Sequence, residues 1–272
     1  MAASSQKGRD ELANMGPASV SRVSFAGGQA ILKQGVSATE MDFYRVVLPQ
    51  STALQALAPR LLDVPDEQSL IIEYLPTLLE AEQWRSPALL EGLAVLHNSS
   101  LTLTDCQRYP LTWSEQATES ALARLDKAVR VQAARAIQPF WQQRERIFAP
   151  LYPLSGDSNI GNWGRRESGD WVLFDWERFS LGSPAIDLAP LLPGMSSPEQ
   201  ATEFGRAYLA KNPACTTALA QLTSQILVAK AWIAVEVINL LHERDNPRTL
   251  EYMAWFNRVL PSWLAENSRN LD

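Results

Sequence analysis

The stretch from Leu154 to Ala189, LSGDSNIGNWGRRESGDWVLFDWERFSLGSPAIDLA, constrains this chain more than any other. Gly156, Gly161, Gly164 and Gly169 break it into tight turns. Trp171-Val172-Leu173-Phe174 is a short apolar run that ends at Asp175, and it reads as a strand delivering a carboxylate at its end. The segment therefore sets Asp157, Asn162 and Asp175 on a polar loop and the strand that follows. Oxygen donors arranged this way suit a hard divalent cation held near a general base.

Moving a phosphoryl group from a nucleotide needs a carboxylate near the acceptor hydroxyl and oxygen ligands that hold magnesium against the phosphates. Asp157 suits the first task, and Asn162 and Asp175 the second. Ser155-Gly156-Asp157-Ser158-Asn159-Ile160-Gly161-Asn162, Phe174-Asp175-Trp176-Glu177, Gly182-Ser183-Pro184 and Asp187-Leu188-Ala189 follow one another in this order. Together they resemble the aminoglycoside phosphotransferase and choline kinase family of kinase-like enzymes, whose catalytic loop reads roughly HGDxHxxN and whose metal strand reads roughly IDWE. The resemblance implies Asp157 as catalytic base, Asn162 and Asp175 as magnesium ligands, and ATP as co-substrate. Two positions depart from it. The family's first histidine is Ser155 here and its second is Asn159. The first normally braces the loop, so its loss bears on rigidity rather than on the chemistry. Asp, Asn, Gly and Ser are also ordinary turn residues, and it is the downstream DWE and DLA that make the spacing specific.

At 272 residues, 46% hydrophobic and 20% charged, the chain is long enough for a substantial core in one large or two smaller domains. A net charge of -6 argues against non-specific binding to nucleic acid and weakly favours a cationic small ligand, although solubility explains it better. Cys106 and Cys215 lack CxxC spacing, which suggests neither a disulfide framework nor a zinc site. His97 and His242, the only histidines, are too few for a histidine metal cluster. Met1 to Asn14 is polar and shows no secretory signal. The most apolar segment, Ile226 to Leu241, carries Lys230, Glu236 and Asn239 and is expected to be a buried helix, not a membrane span. A cytoplasmic protein is the expectation.

Along the chain, Val20 to Phe25 and Gln29 to Lys33, joined by Ala26-Gly27-Gly28, read as a β-hairpin. By the resemblance, Met15 to Ser19 is the phosphate loop and Lys33 the phosphate-binding lysine. No GxGxxG supports the loop. Thr39-Glu40-Met41-Asp42-Phe43-Tyr44 opens a helix with an acid in its first turn and resembles the family's EaxFY segment. Glu40 is then the partner of Lys33, with Asp42 a competing candidate. Ser69 to Pro76 is an apolar strand matching the hinge of kinase-like folds, where backbone groups near Glu73 and Leu75 bind the base.

From Pro87 the period becomes helical, with Leu89, Leu90, Leu93, Leu96 and His97 on one face and His97 a packing residue. Two further helical patterns lie between Leu111 and Leu151. Three helices are expected at Pro198 to Lys211, Ala218 to Arg244 and Leu250 to Glu266, with turns at Asn212-Pro213 and Asn246-Pro247. In related enzymes this region supplies much of the acceptor cleft, which makes Glu177, Glu236, Glu243, Trp232 and Trp255 candidates for holding a cationic or sugar-like acceptor.

The resemblance implies an α+β, bilobal protein-kinase-like fold. Its small β-rich lobe spans residues 1 to 75, a larger helical lobe spans 76 to 272, and ATP lies between them. The implied reaction is phosphorylation of a small-molecule hydroxyl, the acceptor being an aminoglycoside or other antibiotic, an amino alcohol such as choline, thiamine, or a sugar-derived amine. A nucleotide-binding module that has lost catalysis, and an unrelated α+β binding protein, are the alternatives.

Overall fold

The structure is a computed structural model, and it describes residues 10–11 and 18–271. Most of the expected phosphate loop, Met15 to Pro17, lies outside the described residues. Compactness divides the chain into two interleaved units. One takes in residues 1–83, 99–109 and 155–180, and the other 84–98, 110–154 and 181–272. The expected lobes at 1–75 and 76–272 divide the sequence, whereas these units divide it in space.

The first unit carries an antiparallel sheet of β1 (Asp10–Glu11), β2 (Ser19–Phe25), β3 (Gly28–Gln34), β4 (Leu61–Asp66) and β5 (Ser69–Glu73), in the order β1-β2-β3-β5-β4. The β2–β3 hairpin closes through Ala26 and Gly27, with φ of 47° and 82°. Two consecutive positive φ values are what a two-residue turn matching the strand twist requires. Gly28 consequently belongs to the strand, paired with Phe25. Side chains directly across a pair share a face, so Val20, Lys33 and Leu70 form one row, and Arg22, Ile31 and Ile72 the next row of the same face.

After β3, Ser37 caps α1 (Ala38–Asp42) by accepting a hydrogen bond from the Glu40 amide at 3.2 Å. The expected single helix then changes pitch. Phe43–Val47 is a π-helical turn, and Phe43 lies flat on Trp176, ring centroids 3.9 Å apart at 7°. A short helix, α2 (Thr52–Leu57), follows. A second small antiparallel sheet joins β6 (Thr77–Leu78), β7 (Trp163–Arg165) and β8 (Trp171–Leu173), with β7 in the middle.

The second unit is mainly helical: α3 (Pro87–His97), α4 (Glu115–Ala123), α5 (Lys127–Ala136), α6 (Gln138–Gln142), α7 (Glu145–Phe148), α8 (Ala185–Leu191), α9 (Pro198–Lys211), α10 (Leu219–Glu243) and α11 (Thr249–Asn267). The region expected to hold two helices holds the four short ones, α4 to α7. Helix α9 opens on a capping box, in which Ser197 and Gln200 satisfy each other's backbone amides. Helix α10 is apolar on nearly every side and is buried accordingly. It spans 25 residues, close to the expected Ala218 to Arg244, and by length and composition it is able to cross a membrane. Yet 78% of its most apolar window is buried within the protein, which makes it a core helix.

His97 packs as expected, and it is also the hub of a buried polar network. One ring nitrogen is 2.7 Å from the Tyr208 hydroxyl and the other 3.1 Å from Asp187. Asn212 donates to the same hydroxyl at 2.6 Å, and Asn98 donates to Asn212 at 2.8 Å.

Candidate active site

Three of the expected residues meet at Lys33, near the end of β3. Its ammonium donates to both oxygens of Glu40, at 2.6 and 2.7 Å, and to Oδ1 of Asp175 at 3.0 Å. Asp42, the competing partner, accepts instead from the backbone amide of Gln107 at 2.8 Å. Burial disfavours a charged lysine, but Glu40 and Asp175 more than offset it and hold the Lys33 pKa above its ordinary value. Burial likewise pushes the Glu40 carboxyl upward, against the pull of Lys33. With both of its oxygens held by one ammonium, the pair is ionised.

Asp175 follows the end of β8 in a left-handed backbone conformation, φ 67°, which only a few non-glycine residues, aspartate among them, adopt readily. The turn is fixed from both sides. Trp176 donates from its indole to the Leu173 carbonyl at 3.0 Å, and its ring is clamped by Phe43. The residues that present Glu40 and Asp175 are thereby packed against each other.

The second cluster is the loop from Ser155 to Asn162. Gly156 has φ 76°, and a Cβ placed there would lie 2.2 Å from the Arg178 carbonyl oxygen. Only glycine passes so close to another backbone in that conformation. Asn159 donates to Oδ1 of Asp157 at 2.8 Å and accepts from the Gly161 amide at 2.9 Å. Asn162 donates its amide to the Asp157 carbonyl at 2.8 Å. Trp163 closes the loop by donating to the Ser158 carbonyl at 3.0 Å. Burial raises the Asp157 pKa above the usual carboxylate value, the Asn159 hydrogen bond and the Arg178 cation pull it back, and Asp175 adds to the rise.

The two clusters are joined along β7 and β8. Trp163 pairs with Leu173, and the Phe174 amide donates to the Asn162 carbonyl at 2.9 Å, so Asn162 sits beside the strand end from which Asp175 emerges. The donor set fits magnesium. Asn162 spends its NH2 on Asp157, which turns its Oδ1 the other way. Among the described residues neither that oxygen nor Oδ2 of Asp175 takes a hydrogen bond. An amide and a carboxylate oxygen are hard ligands of the kind magnesium prefers.

The remaining expected nucleotide positions, Ser19, Glu73 and Leu75, lie on the same unit. Ser19 opens β2 opposite Gln34, so its side chain is on the other face of the sheet from Lys33. The Glu73 carboxylate is bound by Arg60 at 3.1 Å and by Arg166 at 3.0 Å, which keeps its pKa low despite burial, and its amide donates to the Arg60 carbonyl. Leu75 is buried against Gly164. Of the acceptor candidates, Glu177 and Glu236 are half-buried and Glu243 is exposed. Trp232 is a core residue, 1% exposed, with its indole bound to the Thr112 carbonyl and its ring edge-on to Phe148.

Several features escaped the sequence reading. Asn159 replaces a histidine yet contacts the carboxylate directly. Arg178 stacks over Tyr109 at 4.6 Å and its charge reaches Asp157. The Tyr44 hydroxyl is buried without a hydrogen-bond partner among the described residues; burial raises its pKa, and the charges of Glu40, Asp175 and Glu73 add to the rise.

This arrangement has counterparts among known proteins. No curated protein matches the sequence. Solved structures do. An amicoumacin kinase in complex with AMP-PNP, Ca2+ and its ligand is 15% identical with a TM-score of 0.64, over 97% of this chain and 89% of that one. A gentamicin-bound aminoglycoside phosphotransferase, APH(2")-IIa, is 15% identical with a TM-score of 0.63, over 95% and 93%. A thermostable mutant of the phosphotransferase APH(4)-Ia is 15% identical with a TM-score of 0.61, over 96% and 94%. At these identities the likeness establishes the kinase-like α+β fold. Residues 19–221 match the sequence profile of the phosphotransferase enzyme family, and this chain belongs to that family.

Proposed function

We propose that this protein is an ATP- and magnesium-dependent kinase that phosphorylates a hydroxyl group of a small molecule. The observation that carries the proposal is the ammonium of Lys33 shared between buried Glu40 and half-buried Asp175, on the same unit as Asp157 and Asn162. A structural ion pair needs one acid. A second carboxylate, held at a left-handed backbone angle with one oxygen uncommitted, suits a metal ligand.

In this reading Asn162 and Asp175 hold magnesium, which when bound neutralises charge on the phosphate oxygens. Lys33, positioned by Glu40, supplies a second positive charge to those oxygens. The backbone near Ser19 faces the phosphates, and the backbone of Glu73 and Leu75 faces the base. Asp157 keeps Oδ1 for Asn159 and offers Oδ2 to the acceptor hydroxyl, taking its proton as the oxygen bonds to the γ-phosphorus and the bond to the leaving ADP oxygen breaks. Burial makes this carboxylate a stronger base than a solvated one. The solved relatives include complexes with ADP and hygromycin B and with ADP and spectinomycin, and an antibiotic-like or amino-alcohol acceptor is the class proposed here. The net charge of -6 favours a cationic one.

Thermal unfolding with and without Mg-ATP tests the nucleotide site without knowledge of the acceptor. At about a hundred times the dissociation constant the folded state gains roughly 2.7 kcal/mol, which raises the midpoint by about 5–10 °C in a protein of this size. A rise that needs magnesium supports the proposal, and its absence at saturating nucleotide overturns it. Nucleotide binding with no transfer to any acceptor in a broad screen would favour the catalytically impaired module.

A further inference from the structure

Arg22 lies on the same face of the sheet as Lys33, at a position the nucleotide reading leaves unused. The rows of that face run in order. Lys33 lies between Val20 and Leu70, Ile31 between Arg22 and Ile72, and the strand β5 then leads from Ile72 to Glu73, Tyr74 and Leu75. Successive rows are two residues apart, about 6–7 Å. A nucleotide with its phosphates at Lys33 and its base at the Glu73–Leu75 backbone must pass under the middle row. On β2, β3 and β5 that row and its neighbour are otherwise aliphatic, consisting of Val20, Leu70, Ile31 and Ile72, and Asp10 of β1 is paired opposite Arg22.

Arg22 is half-buried, and its guanidinium carbon is 5.7 Å from the centroid of the half-buried Tyr74 ring. The guanidinium thus lies toward the Tyr74 end of the face, whereas the Glu40 and Asp175 carboxylates are served by Lys33. A guanidinium is planar, weakly hydrated and attracted to the face of a π system. From this geometry we infer that Arg22 stacks on the purine ring of the bound nucleotide, with Tyr74 holding the guanidinium in place. The contact recognises the face of the ring and not its hydrogen-bonding edge. It rests on the nucleotide site proposed above and adds to it a residue that binds the base.

Calorimetric titration of the wild type, Arg22→Leu and Arg22→Gln with Mg-ADP, adenosine and magnesium tripolyphosphate tests the inference, with thermal midpoints checking that each variant is folded. Both variants are expected to weaken Mg-ADP and adenosine by the same factor, roughly 3- to 30-fold for a cation–π contact, and to leave tripolyphosphate unchanged. Unchanged adenosine affinity, or a loss shared by tripolyphosphate, would overturn it, since the second result means that Arg22 contacts phosphate. If Arg22→Leu does not fold, Arg22→Gln is held to the same two outcomes. A wild type that binds none of the three probes refutes the nucleotide site and this inference together, whereas a wild type that binds alongside variants that bind equally well refutes this inference alone.

Discussion

Asp175 and Lys33 are 142 residues apart and meet at 3.0 Å, with the aspartate backbone in the left-handed region at φ 67°. Neither feature is needed to fold a sheet. The positive φ is one that few side chains adopt, and the contact adds a second carboxylate to an ammonium that Glu40 already neutralises. What the pair achieves is a carboxylate aimed from a rigid turn, held there by the Phe43–Trp176 stack.

Asp175→Ala should therefore separate nucleotide binding from folding. The Lys33–Glu40 pair survives in the variant, so the protein remains folded. The rise in unfolding temperature with Mg-ATP should be lost, and isothermal titration with Mg-ATP should show at least a tenfold weaker complex. A variant that keeps the full magnesium-dependent rise would remove Asp175 from the metal site.

Asp157→Asn should spare binding and remove turnover. Its replacement amide can still reach Asn159, which already makes a hydrogen bond of 2.8 Å at this position, but it cannot accept a proton. Loss of a positioned base lowers rate by roughly 10²- to 10⁴-fold. Single-turnover phosphoryl transfer to an accepted substrate, with nucleotide affinity measured alongside, checks this. Unchanged transfer would show that Asp157 is not the base.

Gly156→Ala should be costly although it adds one methyl group. The Cβ would lie 2.2 Å from the Arg178 carbonyl oxygen at φ 76°, so either the loop or the segment around Arg178 must move. Overpacking and left-handed strain together predict a loss of about 2–5 kcal/mol, read as a lower midpoint in chemical denaturation. Because Asp157 is the next residue, activity per folded molecule should fall as well. A variant as stable as the wild type would mean that the loop has room the backbone does not show.

What the sequence disclosed followed what its local patterns can encode. The β2–β3 hairpin was visible through its glycine turn, Lys33 through the family resemblance, and α9 through its helical pattern ahead of Asn212-Pro213. The choice between Glu40 and Asp42 was not, because it depends on Gln107, far along the chain, engaging Asp42. The π turn at Phe43–Val47 was also hidden, since its pitch goes with a ring contact to Trp176 and not with any local propensity. Arg22 escaped because a strand residue's face is defined only once its partners are known. Helices α4 to α7 showed their period but not their ends, where short segments stop against tertiary contacts.

Lys230 on α10 gives a prediction of opposite sign from the usual ion pair. It is 6% exposed, and its ammonium donates to the carbonyls of Leu192 and Gly194. No carboxylate pairs with it among the described residues, and burial lowers its pKa from 10.5 to about 7. Between those values the unfolded chain holds a proton that the folded protein has released, so stability should rise with pH from about 7 to 10.5. Below 7 both states are protonated and the full cost of the buried charge is present. Lys230→Met removes that cost along with two hydrogen bonds, and replacing buried charge by a packed apolar side chain is often stabilising by about 1–4 kcal/mol. Urea denaturation of both proteins at pH 6, 8 and 9.5 checks the sign. The advantage of the methionine variant should be largest at pH 6 and shrink as pH rises, and a difference that is constant or grows with pH would show that Lys230 stays charged in the folded protein.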